Sequence, residues 1–186
     1  MSYYGVAEKA SKYTRRKCFL SYHTEDKAEV ERFISTFDDE ANLFIAQVVI
    51  EDDDFVDSHD ADYVMRVIRE KYLSNTTVTI VLMGKCTWSR RYIDWEIAST
   101  LRNDVNNKRS GLLGIKLPSN GDANPKLPDR FADNYAQDQS LYAKYIYYPS
   151  SAKALADAIE DAYSRRDTHA GKINNSRALR KRSAVC

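Results

Sequence analysis

The sequence predicts an α/β fold in which a parallel sheet is covered by helices on both faces. Short apolar runs alternate with amphipathic stretches along the chain, and consecutive positions within each run are apolar. This alternation is typical of βαβ units, and strands that are apolar on both faces belong to the buried middle layer of a three-layer domain. Five such runs predict a single flavodoxin-like domain whose strands follow the order 2-1-3-4-5.

The five strands are predicted at the apolar runs. The third run, 76–83 (TTVTIVLM), is the richest in β-branched residues, which favour strands. The second run ends in an acidic sequence, Glu51–Asp54, and the fourth is closed by Pro118, which is disfavoured within a strand. The predicted strands are 17–22, 43–50, 76–83, 111–117 and 145–148.

Helices are predicted between the strands, where apolar residues recur three or four positions apart. Asp26 followed by Glu29 resembles a capping box for the first helix, and Ser58 is expected to cap the second. The third helix is predicted from Arg90 to about Asn106. Its aliphatic stripe recurs at every fourth position and consists of Ile93, Ile97, Leu101 and Val105.

The chain divides into three segments by composition and charge. Residues 1–16 are polar and predict a loose arm, and residues 17–163 form the domain, whose last helix is expected to be capped by Ser150 or Ser151. Residues 164–186 hold seven Lys or Arg and one acid, so this segment carries +6 and the rest of the chain −5 within a net charge of +1. The basic segment predicts a solvated, disordered tail, while the acidic body excludes a dedicated nucleic-acid binder.

The cysteines and the hydropathy pattern indicate which cellular compartment to expect. Cys18, Cys86 and Cys186 stand far apart without a CxxC pair, which predicts neither a disulfide framework nor a zinc site. No apolar stretch reaches the roughly 20 residues of a membrane helix, and the first residues lack the apolar core of a signal peptide. A protein of the reducing cytoplasm without membrane contact is the expectation.

The acidic run after the second strand is one candidate for chemistry. Ligands of open parallel sheets bind beyond the carboxyl ends of the strands, where Glu51–Asp54 would lie. A magnesium site or a phospho-acceptor aspartate, as in receiver domains, is one interpretation, and a solvated acidic loop is the other. Receiver domains place their acceptor after the third strand, where this chain has Met83, Gly84 and Lys85. No GxGxxG or P-loop sequence supports dinucleotide or phosphate binding of those kinds.

The segment from Thr87 to Glu96 is the more informative candidate. With 3.6 residues per turn, Tyr92 and Glu96 fall on one edge of the third helix, about 100° or more from the aliphatic stripe. A carboxylate that is half-buried among aromatic rings is poised for a raised pKa or for stabilising a developing cation. The other interpretation is a surface glutamate paired with Arg91 or Arg102.

Two short sequences resemble the TIR domain family. Phe19–Tyr22 (FLSY) resembles its first strand, and Tyr92–Glu96 resembles its WxxxE helix, with Tyr92 in place of the tryptophan. The stretch 75–96 (NTTVTIVLMGKCTWSRRYIDWE) is most similar to the TIR-like proteins of bacterial Thoeris anti-phage systems. The resemblance covers roughly residues 17–163 and implies a flavodoxin-like fold.

The resemblance also implies cleavage of the nicotinamide–ribose bond of NAD, with NAD as substrate and without a separate cofactor or metal. Some members of the family cyclise the ADP-ribose product into a signalling nucleotide. Glu96 matches the catalytic glutamate of the family, and a carboxylate there would stabilise an oxocarbenium-like ribose. The residues that the resemblance assigns to substrate binding are Phe19, Ser21, Tyr22, His23, Asp53, Trp88 and Tyr92.

The resemblance implies partners and leaves two classes of function open. Self-association through TIR surfaces and a phage-derived trigger are implied, with no specific nucleic acid and no membrane. Many TIR domains are catalytically silent adaptors, so a protein-interaction module is the alternative to an NAD-processing enzyme. A receiver-like regulatory domain is the remaining alternative.

Overall fold

The central sheet has five parallel strands in the order 2-1-3-4-5, counted along the chain, which confirms the predicted fold class and strand order. The structure is a computed structural model that describes residues 12–48, 60–104 and 108–186. Each strand begins and ends within two residues of its predicted bounds where these are described. The strands are β1 (Arg16–Tyr22), β2 (Phe44–Val48), β3 (Val78–Met83), β4 (Gly111–Lys116) and β5 (Lys144–Ile146).

Helices cover both faces of this sheet. The first two continue beyond their α-helical bounds in wider π-type turns, to residues 40 and 73. Successive strand side chains point to opposite faces, so Leu20 packs with the first and last helices, whereas its neighbour Phe19 packs with the second and third. The helices are α1 (Lys27–Ile34), α2 (Ala61–Val67), α3 (Arg91–Leu101), α4 (Asp129–Ala132) and α5 (Ala152–Thr168).

Two helices begin at side chains that cap them. The Ser151 hydroxyl accepts a hydrogen bond from the Ala154 N–H at 3.2 Å, which confirms one of the two predicted caps of α5. Ser58, the predicted cap of α2, lies outside the described residues. Asp60 caps that helix, because its carboxylate accepts two backbone N–H groups of the first turn at 3.1 Å.

The predicted capping box of α1 is wrong. Asp26 precedes the helix but accepts no backbone hydrogen bond from it. Its carboxylate packs instead against Gly84, where a Cβ atom would overlap it, and accepts the Thr87 hydroxyl at 3.4 Å. Glu29 accepts the hydroxyl of Ser119 at 2.5 Å. Both acids therefore tie the beginning of α1 to the loops that follow β3 and β4.

Helix α3 is shorter than predicted and is buried almost all round. It ends at Leu101, because Arg102 already has extended backbone angles, and Val105 lies outside the described residues. The aliphatic stripe packs as predicted, with Ile93 and Ile97 against a cluster that includes Val81 of β3. Every residue from position 93 to position 101 is buried. Another part of the chain must therefore cover the side of α3 that faces away from the sheet.

That cover is the segment 173–186, which we call the C-terminal strap. Residues 164–186 were predicted to form a disordered tail, but α5 continues to Thr168, a short turn follows at 170–172, and the strap then lies along α3. Two of its arginines pair with acids of α4 or its end: Arg177 with Asp133 at 2.6 Å and Arg180 with Asp129 at 2.8 Å. The basic tail is therefore ordered by the acidic body.

The end of the strap is linked covalently to the domain. Cys186 forms a disulfide with Cys86, which lies in the loop between β3 and α3, and their Cα atoms are 5.4 Å apart. The prediction that the cysteines form no disulfide is wrong, because the two partners are 100 residues apart in sequence and only the fold brings them together. The cysteine pattern thus gives no argument for a reducing compartment.

Within the described residues, no helix is both long and apolar enough to cross a lipid bilayer.

Candidate functional site

The candidate site centres on a carboxyl group that lies between α3 and the sheet. Glu96 is in the second turn of α3, and Ser21 is near the carboxyl end of β1, on the same face of the sheet as Phe19. The Ser21 hydroxyl donates a hydrogen bond to Oε2 of Glu96 at 2.5 Å. Ser21 is fully buried and Glu96 is only 8% exposed. The surface glutamate considered from the sequence is therefore not what the structure contains.

A second pair of polar side chains holds the same edge of the helix to the sheet. The hydroxyls of Thr79 on β3 and Thr100 on α3 are 2.8 Å apart, and Thr100 also donates to the main-chain carbonyl of Glu96 at 2.8 Å. The contact between Thr79 and Thr100, together with the bond between Ser21 and Glu96, fixes the rotation of α3 relative to β1 and β3. The carboxyl of Glu96 is thereby held towards the sheet.

Burial changes the acidity of Glu96. Removal from water disfavours the carboxylate and raises its pKa from 4.5 to about 8, while the hydrogen bond from Ser21 acts in the opposite direction and is the smaller effect. At neutral pH the group is therefore mainly a neutral acid. A positive charge that came near would favour its ionisation, because an opposite charge stabilises the carboxylate.

The two arginines considered as partners of Glu96, Arg91 and Arg102, form no ion pair with it in the described structure. Arg91 donates to the Tyr92 hydroxyl at 2.7 Å and stacks over the rings of Tyr92 and Trp95. The Tyr92 ring packs edge-on against Trp95, with the ring centres 5.4 Å apart. Tyr92 lies one helical turn before Glu96 and is half-buried. The packed rings of Tyr92 and Trp95 therefore come directly before Glu96 on the same helix.

The structure separates the other predicted substrate-binding residues. Phe19 is fully buried below α3, where it packs against the cluster around Trp95. Tyr22 points to the opposite face of the sheet, because side chains alternate along a strand, and it packs there with the α1 and α5 core. Tyr22 therefore lies on the opposite face of the sheet from Glu96, whereas Phe19 and Ser21 lie on the same face as Glu96.

His23, Trp88 and Asp53 complete the predicted set. His23 follows β1 and places its Nε2 atom 3.2 Å from a carboxylate oxygen of Glu25. Trp88 is half-buried before α3, and the ammonium of Lys126 lies 3.4 Å from the centre of its ring. Asp53 lies outside the described residues. Within the described part of the chain, no group of three or more His, Cys, Asp or Glu side chains is arranged to hold a metal ion.

No pattern in the sequence indicates the buried ion pair on the other side of α3. Arg130 of α4 is 1% exposed and donates two hydrogen bonds to the Asp94 carboxylate, at 2.8 and 3.3 Å. Asp94 also accepts the backbone N–H of Arg180 at 2.8 Å. These partners are 36 and 86 residues away from Asp94, and no periodicity of the sequence relates them.

An open cavity of about 450 Å³ lies elsewhere, where the end of the first helix meets the start of α5. It is lined by residues that include Phe37 and Tyr148, both of which belong to the core on the α1 and α5 side. Glu96 lies on the other face of the sheet, so this cavity is not part of the candidate site.

An open five-stranded α/β domain that buries a glutamate of its third helix against the first strand is the arrangement expected of a TIR-like domain. The family described as "Thoeris protein ThsB, TIR-like domain" matches residues 19–122, more than half of the chain. The chain belongs to this family. The matched region runs from β1 past β4 and contains Ser21, Tyr92 and Glu96. No curated protein matches the chain.

Proposed function

We propose that this TIR-like domain cleaves the nicotinamide–ribose bond of NAD and that Glu96 stabilises the positive charge that develops on the ribose. The observation that carries the proposal is the buried carboxyl of Glu96, held by Ser21 at 2.5 Å beside the carboxyl end of β1. Departure of nicotinamide leaves an oxocarbenium-like ribose, and a preorganised carboxylate is the group that stabilises such a charge.

The raised pKa of Glu96 fits a group that acts in the transition state. Its pKa of about 8 keeps the free site mainly neutral, so the buried acid bears little unpaired charge before substrate binds. As positive charge grows on the ribose, the pKa falls and the proton is lost to solvent or product, which leaves a carboxylate facing the cation. The interaction is then stronger in the transition state than in the ground state, which is the condition for catalysis.

Two neighbours support this role. Ser21 positions the carboxyl through the short hydrogen bond, and Tyr92 offers an aromatic surface one helical turn away. NAD is the substrate in this proposal, and no separate cofactor is needed. Cyclisation of the ADP-ribose product, activation by a phage-derived trigger and self-association are parts of the same proposal, which the Thoeris family membership supports.

The experiment that tests the proposal is NAD consumption with separation of nicotinamide and ADP-ribose products by chromatography. Glu96→Gln keeps the size and polarity of the side chain but cannot become an anion, so turnover should fall by about 10²–10³-fold. Binding of intact NAD should change far less, because the ground state carries little ribosyl cation character. Glu31→Gln is the matched control, since Glu31 is exposed on α1 at the other face of the sheet.

The same measurement distinguishes an NAD-processing enzyme from a catalytically silent protein-interaction module. Unchanged turnover in a folded Glu96→Gln protein would remove Glu96 from the mechanism. Wild-type protein without any NAD turnover, in the presence of lysate from phage-infected cells as trigger, would instead favour a protein-interaction module.

A further inference from the structure

The C-terminal strap runs antiparallel to α3 along the face that points away from the sheet. Asn175 donates to the Ala98 carbonyl at 3.0 Å, near the strap's beginning. Further along, the Trp95 indole donates to the Arg180 carbonyl at 2.9 Å. Near the strap's end, the Ala184 N–H donates to the Ser89 carbonyl, also at 2.9 Å. The strap thus follows the helix to its first residue and then reaches the loop before it.

Helical geometry shows which surface the strap covers. At 100° per residue, positions 91, 94, 95 and 98 form one face of α3, roughly opposite the direction of Glu96. Asp94 is 5% exposed and Trp95 is 2% exposed with the strap in place. Leu179 of the strap packs against the cluster that contains Trp95. The strap therefore buries an apolar and acidic face of α3 without covering Glu96.

The last residues of the strap have few attachments besides the disulfide. Between residues 181 and 185, the hydrogen bonds described are those of Ser183 to the Arg91 N–H, at 3.1 Å, and of Ala184 to Ser89. Cys186 is exposed and Cys86 is partly exposed, so a reductant in solution reaches the bond. The third thiol, Cys18, is fully buried, and burial strongly raises its pKa, so it does not compete in exchange.

We propose that the Cys86–Cys186 disulfide is a reversible redox latch whose reduction releases the end of the C-terminal strap from α3. The reductant is a dithiol. One of its thiolates attacks a sulfur of the latch, forms a mixed disulfide and displaces the other cysteine as a thiolate, which takes up a proton. The second thiol of the reductant then displaces the remaining cysteine. Two electrons and two protons pass to the latch, and the reductant leaves as a disulfide.

The latch acts on the loop and the helix that present Glu96. It joins the strap to the loop in which Thr87–Ser89 form a short turn directly before α3. Reduction removes the covalent end of the strap, so the strap and the first turn of α3 open more often. The consequence for NAD turnover rests on the proposed function, whereas the release of the strap does not.

Hydrogen exchange followed by mass spectrometry tests the latch without any substrate. The full chain is compared in its oxidised form, after reduction with dithiothreitol, and after reoxidation. Reduction should accelerate exchange about tenfold or more at the hydrogen-bonded amides of Ala184 and Arg91, and reoxidation should restore protection. Cys186→Ser should behave as the reduced protein without reductant. Val185→Ser, a neighbouring change at a position that is 93% exposed, should behave as wild type.

NAD turnover of the same samples gives the second readout. Loosening of the helix that carries Glu96 should lower turnover of the reduced protein about tenfold or more. Equal exchange in the oxidised and reduced protein, or exchange that reoxidation does not reverse, would overturn the latch. Release of the strap without a change in NAD turnover would overturn the proposed effect of the latch on the Glu96 site. Absence of turnover in every sample would count against the proposed function alone, because the exchange data judge the latch separately.

Discussion

Replacing Glu96 by glutamine should make the protein more stable at neutral and alkaline pH. The carboxyl has a pKa of about 8 in the folded protein and an ordinary value of 4.5 when exposed to water. Between these two values the folded state retains a proton that the unfolded state has released. The free energy of unfolding therefore has its full value below about pH 4.5 and is lost progressively as the pH rises towards 8. Glutamine does not titrate, so the variant escapes this loss.

The size of the effect follows from the interval between the two pKa values. Each pH unit within it is worth about 1.4 kcal/mol, so the difference in unfolding free energy between variant and wild type should grow by about 3–4 kcal/mol from pH 5 to pH 8. Above pH 8 the folded state also loses the proton, and the difference should level off at about 5 kcal/mol relative to acidic pH. A constant offset from the hydrogen bonds of the new amide is the same at each pH and does not affect this growth.

Urea unfolding followed by circular dichroism at pH 5, 6.5, 8 and 9 measures the difference. Glu31→Gln serves again as the control, and its difference from wild type should stay nearly constant over the same range, because that side chain is exposed. A Glu96→Gln difference that does not change with pH would refute the conclusion that the folded site holds a buried, neutral acid. A confirmed result would mean that the protein gives up stability to keep an ionisable group at this position.

Three further predictions concern Ser21 beside Glu96, the buried ion pair on the other side of α3, and the core around β4. Ser21→Ala removes the bond that lowers the pKa of Glu96, so the pH–rate profile for NAD should shift to higher pH while the fold persists. Arg130→Met leaves the Asp94 carboxylate buried without its guanidinium and should lower the free energy of unfolding in urea by about 3–5 kcal/mol. Gly114→Ala places a Cβ atom 2.6 Å from a phenylalanine ring and should cost about 1–3 kcal/mol in the same assay.

Each of these has a contrary outcome. An unshifted pH–rate profile in Ser21→Ala would show that its hydroxyl does not influence the ionisation that controls turnover. A wild-type unfolding curve for Arg130→Met would mean that water reaches Asp94. If Arg130→Met is instead destabilised, adding Asp94→Asn should recover part of the lost free energy of unfolding, because the unpaired buried charge is then removed. Unchanged stability of Gly114→Ala would show that the core around β4 has room that the structure does not indicate.

The sequence predicted the features that depend on local pattern. Apolar runs located the strands, and the four-residue spacing of Ile93, Ile97 and Leu101 located the side of α3 that packs on the sheet. The same spacing placed Glu96 on a different edge of the helix, and the fold then buried it against Ser21. These inferences succeed because the periodicity of a helix or a strand is fixed by its backbone geometry.

Features that depend on distant partners could not be predicted in this way. The basic composition of residues 164–186 is typical of a solvated tail, yet Arg177 and Arg180 find acids on the body of the domain. The charge asymmetry is visible in the sequence, but no sequence pattern indicates that arginines of the basic segment pair with acids of the domain. For the same reason, two cysteines 100 residues apart gave no sign of their bond.

The position of the strap has a consequence for the order in which the faces of α3 are covered during synthesis. Asn175 is made 77 residues after Ala98, and Arg180 is made 85 residues after Trp95. At about 5–20 residues per second, the nascent chain spends roughly 4–17 s with α3 synthesised and its cover not yet made. Once α3 has left the ribosome, the indole of Trp95 and the carboxylate of Asp94 face water or a chaperone until the strap arrives. The outer face of the helix that carries the candidate site thus stays open until the C-terminal strap has been made.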